Sequence, residues 1–162
     1  MSGSESLVEG LAARWRSAWS DGTRSSFAAC CSAGVQYEDP VARDPLEGLD
    51  ALAEHAASLR KALPDLRIEP VGHSVNEGSF ACVPWRLLGT HRGAIAAIPA
   101  SNRFVVVHGV HYLEVADGRV RRARGFFDLY DAAIQLGLLP GRGSLAESAL
   151  MLVRGFGLRA RA

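Results

Sequence analysis

The chain has 162 residues, of which 48% are hydrophobic and 22% charged, the profile of one ordinary soluble globular domain with a core of its own. Its formal net charge of +1 gives no electrostatic case for nucleic acid or an anionic membrane as partner. The three cysteines, Cys30, Cys31 and Cys82, are odd in number and two are adjacent, which argues against a disulfide framework and for a reducing, cytoplasmic setting.

The N-terminal "MSGSES" has no apolar run behind it, so no secretory signal is expected, and no stretch is long and apolar enough to span a bilayer. Leu7, Val8, Leu11, Trp15, Ala18 and Trp19 then recur at helical spacing, with Ser4 or Ser6 as cap and Asp21-Gly22 as the stop. A shorter helix is expected from Thr23 to about Cys31. "VQYEDP" alternates: Val35, Tyr37 and Asp39 point one way, Gln36 and Glu38 the other, and Pro40 ends the strand. Leu49, Leu52, Ala56, Leu59 and Leu63 form the stripe of the next helix, which Pro64 stops.

From Leu66 onward the pattern is that of strands: Arg67–Asn76, Ser79–Thr90, Ala94–Ile98, Phe104–Val115 and Arg119–Phe127. Glu77-Gly78 and Asp117-Gly118 read as hairpin turns. "DLYDAAIQLGLLPG" is a helix broken by Pro140-Gly141, and Ser144 with Glu147 forms a capping box for a last helix that Gly155 and Gly157 end. Helices first and hairpin-connected strands after them make an α+β domain, with helices on one face of a curved sheet and a concave pocket at its open end. Residues 1–140 are the body of the domain and 141–162 a helical extension, expected to cover the pocket mouth.

Counting back from the Asp117-Gly118 turn pairs His111 with Arg124, Gly109 with Phe126 and Val107 with Asp128, which puts His111, Arg124 and Asp128 on one face and His108 on the other. A bulge would reverse part of this assignment. Asp128 beside His111 or Arg124 could exchange protons with a substrate, and it could equally cap the helix that starts at Leu129. His91 sits in "GTHRG", where Gly89 and Gly93 let the chain bend; it reads as a structural or substrate-orienting hydrogen bonder at the pocket wall. Tyr37, Asp39, Trp15 and Phe126 are expected to contact substrate. No metal site is expected, because His108 and His111 are three apart on a strand and face opposite ways. No phosphate loop or GxSxG motif occurs.

"VQYEDP", "GLDAL", "ALPDLR", "WRLLGTHRG", "VADGRV" and "FFDLYDAAIQLGLLP" resemble the SnoaL-like polyketide cyclases over nearly everything up to Pro140. The resemblance implies a cone-shaped α+β barrel and a metal-free, cofactor-free intramolecular aldol condensation of a small apolar, polyketide-like substrate. It implies that Asp128 is the general acid/base, that His111 assists, and that Asp39 lies where such proteins often carry a pocket Asn or Asp. "IPASNR" (98–103), Arg124 and the long tail depart from the pattern. Isomerisation, epoxide opening by Asp128, Asp39 and Arg124, and plain ligand binding are the other activities that the fold accommodates. A homodimer through the outer sheet face is expected, with Trp85 facing outward.

Overall fold

The computed structural model describes residues 2–42, 44–95 and 97–154, with the side chains of residues 2–8 outside that description. The side chains of Leu7 and Val8 and the expected helix end at Gly155 and Gly157 therefore lie outside the described set. Among the described residues, five helices and seven strands follow in the order α1 (Ser2–Asp21), α2 (Arg24–Ala28), β1 (Cys31–Glu38), β2 (Leu46–Glu47), α3 (Gly48–Ala62), β3 (Arg67–Pro70), β4 (Val75–Glu77), β5 (Phe80–Thr90), β6 (Phe104–Ala116), β7 (Arg119–Phe127), α4 (Leu129–Leu136) and α5 (Leu145–Val153).

The α+β reading holds. The sheet runs β2-β1-β7-β6-β5-β3, with β4 on β5, and it has two ends, so it is curved and unclosed rather than a closed barrel. All pairings are antiparallel except β1 with β7. The helical stripes dictate what packs on the sheet: Trp15, Trp19, Phe27, Leu52 and Ala56 meet Val83, Leu113, Val120 and Ala123 in one core. Complete burial of a side chain such as Leu52 or Leu113 is worth about 1.5–3 kcal/mol. No helix among the described residues is long and apolar enough to cross a membrane.

Several boundaries move. α1 starts at Ser2, ahead of the expected cap at Ser4 or Ser6. Thr23 caps the shorter α2 through Ser26 N, and β1 starts at Cys31. The two-residue strand β2 has no pattern to announce it. Of the expected strand Ala94–Ile98, the described residues show an isolated bridge between Ile95 and Ile98. α4 stops at Leu136, because Gly137 takes a left-handed cap with φ 83°, three residues before Pro140.

The hairpin between β6 and β7 carries the largest consequence. Asp117 and Gly118 both have positive φ, 51° and 69°, as a tight two-residue turn requires. Ala116 pairs Arg119 and Val115 pairs Val120, but Glu114 then pairs Arg122, which leaves Arg121 as an inserted residue. Beyond this bulge every pairing shifts by one. His111 lies opposite Gly125, while Arg124 pairs Tyr112 and Phe126 pairs Val110. Trp85, expected outside, is 4% exposed and faces inward.

α5 departs from its expected place as well. Ser144 accepts from Glu147 N and Glu147 returns a bond to Gly143 N, a displaced capping box. None of its residues is buried, Leu145 and Val153 least of all. Among the described residues, no cavity-lining side chain lies beyond Leu138, so α5 does not cover the pocket.

Candidate functional site

A cavity of about 310 Å³ opens between the concave face of the sheet, α3 and α4. Its wall is largely aliphatic, with Leu59 from α3 and Leu63 just past its end, Val105 and Val107 from β6, and Ala133 and Leu136 from α4. The polar lining residues are Tyr37, Asp39 and His111, joined by the indoles of Trp19 and Trp85.

Strand alternation delivers these groups. Tyr37 is the last inward residue of β1, and Asp39 follows with the same parity just past the strand end. There the Asp39 carboxylate closes a turn, its Oδ1 accepting from Val41 N and Ala42 N, both at 2.7 Å. Its Oδ2 accepts from the Tyr37 hydroxyl at 3.0 Å and from His55 Nε2 at 2.9 Å. His111 arrives from β6 with Nε2 3.4 Å from the Tyr37 oxygen. The result is a chain of four side chains: His111, Tyr37, Asp39, His55.

Two glycines make the space. A Cβ at Gly125 would lie 2.8 Å from the Tyr37 hydroxyl and 3.2 Å from the Asp39 Cβ. A Cβ at Gly109 would run into the Trp85 indole and the Phe126 carbonyl. Aromatic rings then fix His111. Trp19 stacks on it at 5.7 Å and 12°, Trp15 meets it edge-on at 5.4 Å, and Trp85 lies at 5.0 Å.

The charges follow from these surroundings. Burial alone would raise the Asp39 carboxyl, but the hydrogen bond and charge of His55 and the amides of Ala42 and Val41 outweigh it and hold the group below its ordinary value. Asp39 is thus an anion with four donors on its two oxygens. Burial, then the Asp39 charge and hydrogen bond, push the Tyr37 hydroxyl well above its usual value, so it stays protonated and donates. Burial takes His111 down to about 3, against the opposing pull of Asp39, so its imidazole is neutral. Since Tyr37 gives its proton to Asp39, the Tyr37 oxygen takes one from His111 Nε2. That tautomer leaves the lone pair on His111 Nδ1, an atom with no hydrogen-bond partner among the described residues. The Nε1 donors of Trp19 and Trp85 likewise have none.

Of the residues singled out from the sequence, the fold brings Tyr37, Asp39 and His111 to one cavity. Trp15 is fully buried behind His111 and supports it without lining the cavity. His91 is fully buried in the loop after β5, where its Nδ1 accepts from Ser101 N and its backbone pairs with Asn102 and Arg103. It clasps that loop and is not a lining residue. The bulge at Arg121 turns Arg124 and Phe126 to the opposite face, and Asp128 lies just past the strand end. Arg124 lies 3.5 Å from Glu38 and over the ring of Phe126, which is itself 51% exposed. Asp128 is half exposed, caps α4 by accepting from Asp131 N at 2.8 Å, and faces Arg142 at 3.6 Å. It does not line the cavity; Phe127 does.

Sequence reasoning missed His55, Trp19 as a lining residue, and Phe127. His55 had a signal: it stands three residues after Leu52 and four before Leu59, on the buried stripe of α3, where a histidine needs a partner.

Residues 9–136 match the family model for the SnoaL-like polyketide cyclases. No curated protein matches the chain. Among solved structures, a protein from Jannaschia sp. CCS1 described as SnoaL-like superposes with a TM-score of 0.75 at 22% identity, covering 86% of this chain and 98% of that one. AclR from Streptomyces galilaeus gives a TM-score of 0.73 at 18% identity, with 98% and 99% covered. A Catenulispora acidiphila DSM 44928 protein with a ketosteroid isomerase-like fold gives 0.67 at 13% identity, with 78% and 92% covered.

Proposed function

The chain belongs to the SnoaL-like polyketide cyclase family, and from that premise we propose that it catalyses a proton-transfer reaction of the cyclase or isomerase type on a small, largely apolar carbonyl compound. The observation that carries this reading is the buried chain His111–Tyr37–Asp39–His55, which meets an apolar cavity at His111.

The roles follow from what each group has left to offer. Asp39 has four donors already, so it acts as a fixed negative charge rather than as a proton acceptor. His111 lines the cavity, and its Nδ1, buried and without a partner among the described residues, is the group assigned in this reading to take the proton from a carbon next to a carbonyl. The C–H electron pair moves into the enolate. In an aldol closure the enolate carbon bonds to a second carbonyl of the same molecule, and the alkoxide so formed takes the proton back from His111. The imidazolium that exists between these steps is stabilised by Asp39 through Tyr37, and His55 holds Asp39 in place.

A base as weak as a buried His111 matches an acidic carbon acid, such as a methylene between two carbonyls. General acid/base transfer of this kind is worth about 10²–10⁴-fold in rate. Deuterium uptake by the central carbon of benzoylacetone in D2O, followed by NMR, tests the proposal without the natural substrate. Uptake faster than the buffer rate, and lost in His111→Gln, is expected; uptake at the buffer rate would overturn it.

A second reading is a non-catalytic binding module. The hydrogen-bond saturation of Asp39 favours it, and the same assay decides, since a binder would take up benzoylacetone without exchange. Epoxide opening by Asp128, Asp39 and Arg124 has no support in the geometry, because Arg124 lies on the outer face of the sheet and neither it nor Asp128 lines the cavity.

A further inference from the structure

An amphipathic helix ordinarily buries its apolar stripe and shows its polar side to water. α5 is seated the other way round. Leu145, Ala149, Leu152 and Val153 fall on one side of it by helical spacing, and all four are exposed, Leu145 at 90% and Val153 at 85%. Glu147 lies on the opposite side and holds the helix. Its carboxylate accepts from the Tyr130 hydroxyl on α4 at 2.9 Å and from Gly143 N at 2.6 Å. These bonds set the roll of α5 and leave its stripe uncovered among the described residues.

Charge is segregated in the same place. Residues 141–162 carry four arginines, Arg142, Arg154, Arg159 and Arg161, against one acid, Glu147, a net of +3; the whole-chain +1 therefore leaves −2 for residues 1–140. Arg142 precedes α5 and Arg154 follows it at the C-cap, both exposed. Exposed apolar side chains continue at the two ends of α4, with Leu129 and Leu138 50% and 47% exposed. A second copy of this chain fits the stripe badly, because pairing two stripes would bring two +3 segments together. An anionic bilayer suits both parts. Its acyl boundary takes the stripe, and its phosphates take the arginines, whose long stems reach outward from a helix lying in the interface.

We propose that α5 with its flanking arginines is a peripheral docking site for an anionic lipid surface, Leu145, Leu152 and Val153 entering the acyl boundary and Arg142 and Arg154 meeting lipid phosphates. With nine residues the helix lies on the bilayer and does not cross it. Leu129 and Leu138 also line the cavity, so docking brings the cavity mouth to the bilayer. The docking does not depend on the chemistry proposed for the cavity.

Flotation of the full chain with vesicles of phosphatidylcholine alone, and of phosphatidylcholine mixed equally with phosphatidylglycerol, tests this. Binding to the mixed vesicles, weak binding to the neutral ones and release by raised salt are expected. One arginine near such a surface is worth about fivefold in partitioning, so Arg154→Gln should weaken binding by about that factor. Leu152→Glu combined with Val153→Glu should abolish it. All three positions are exposed, so the melting curves of the variants should match that of the parent. No binding to the mixed vesicles, equal binding to the neutral ones, or binding unchanged in both variants would overturn the proposal. So would self-association that Val153→Glu abolishes in a chain that the vesicles do not retain, since a second copy would then be the occupant of the stripe.

Discussion

His111 on β6 lies directly opposite Gly125 on β7. The missing side chain of Gly125 is what lets the Tyr37 hydroxyl and the Asp39 carboxylate meet beneath the imidazole. A Cβ there would sit 2.8 Å from the Tyr37 oxygen, closer than real Cβ contacts come. Gly125→Ala is therefore expected to cost about 1–3 kcal/mol, as overpacking does. It should also release the Tyr37–Asp39 hydrogen bond. Urea unfolding of the variant checks the first, and equal stability to the parent would contradict the close packing.

Asp128 has a structural duty at the start of α4. Its Oδ1 accepts from Asp131 N, so Asp128→Ala should cost about 0.5–2 kcal/mol while Asp128→Asn, which can still cap, should cost far less. Thermal melts of both variants distinguish a cap from a residue held for catalysis. Equal losses in the two would contradict the capping role.

The burial of His111 makes stability depend on pH. Its folded value of about 3 lies below the ordinary 6.5. Below pH 6.5 the unfolded chain takes up a proton that the folded chain refuses, so stability falls as pH drops through the window from 6.5 to about 3. The slope from this one group reaches about 1.4 kcal/mol per pH unit. Asp39, whose folded value is lowered, adds a further loss at the acid end of that window. Unfolding free energies measured across it should fall with acid, and His111→Gln should flatten the fall. An identical slope in the variant would mean that His111 is not buried neutral.

The outer face of the sheet presents Phe80, Tyr112 and Phe126, 43%, 37% and 51% exposed, with Phe80 stacked on Tyr112 and Arg124 over Phe126. An apolar patch of this kind on a sheet with a covered inner face suits a self-complementary contact. A homodimer through this face is expected. Sedimentation at micromolar concentration should give a dimer that Tyr112→Glu and Phe126→Glu shift to monomer; a monomeric parent would contradict it.

Much of this was legible in the sequence, and the failure had one local cause. Helical stripes gave α1 and α3, Asp117-Gly118 gave the hairpin, and alternation placed Tyr37 and Asp39 on one face. The resemblance implies that His111 assists, and the structure brings it to the cavity. Arg124, Phe126 and Asp128 were misplaced because Arg121 is an extra residue in β7. The sequence does carry a sign of it. Val120 and Ala123, both buried, are three apart with two arginines between them, where an unbroken strand would space them by two. His55 was hidden differently: a histidine on an apolar helical stripe reads as an interruption until its partner, Asp39, is brought up by another element.

The central claim is that proton transfer belongs to His111 and its chain, and not to Asp128. The most direct measurement compares His111→Gln and Asp128→Asn in one assay, deuterium uptake by benzoylacetone in D2O, with both variants shown to be folded. The expected result is exchange reduced to the buffer rate in His111→Gln and close to the parent rate in Asp128→Asn. Exchange retained in His111→Gln and lost in Asp128→Asn would contradict it.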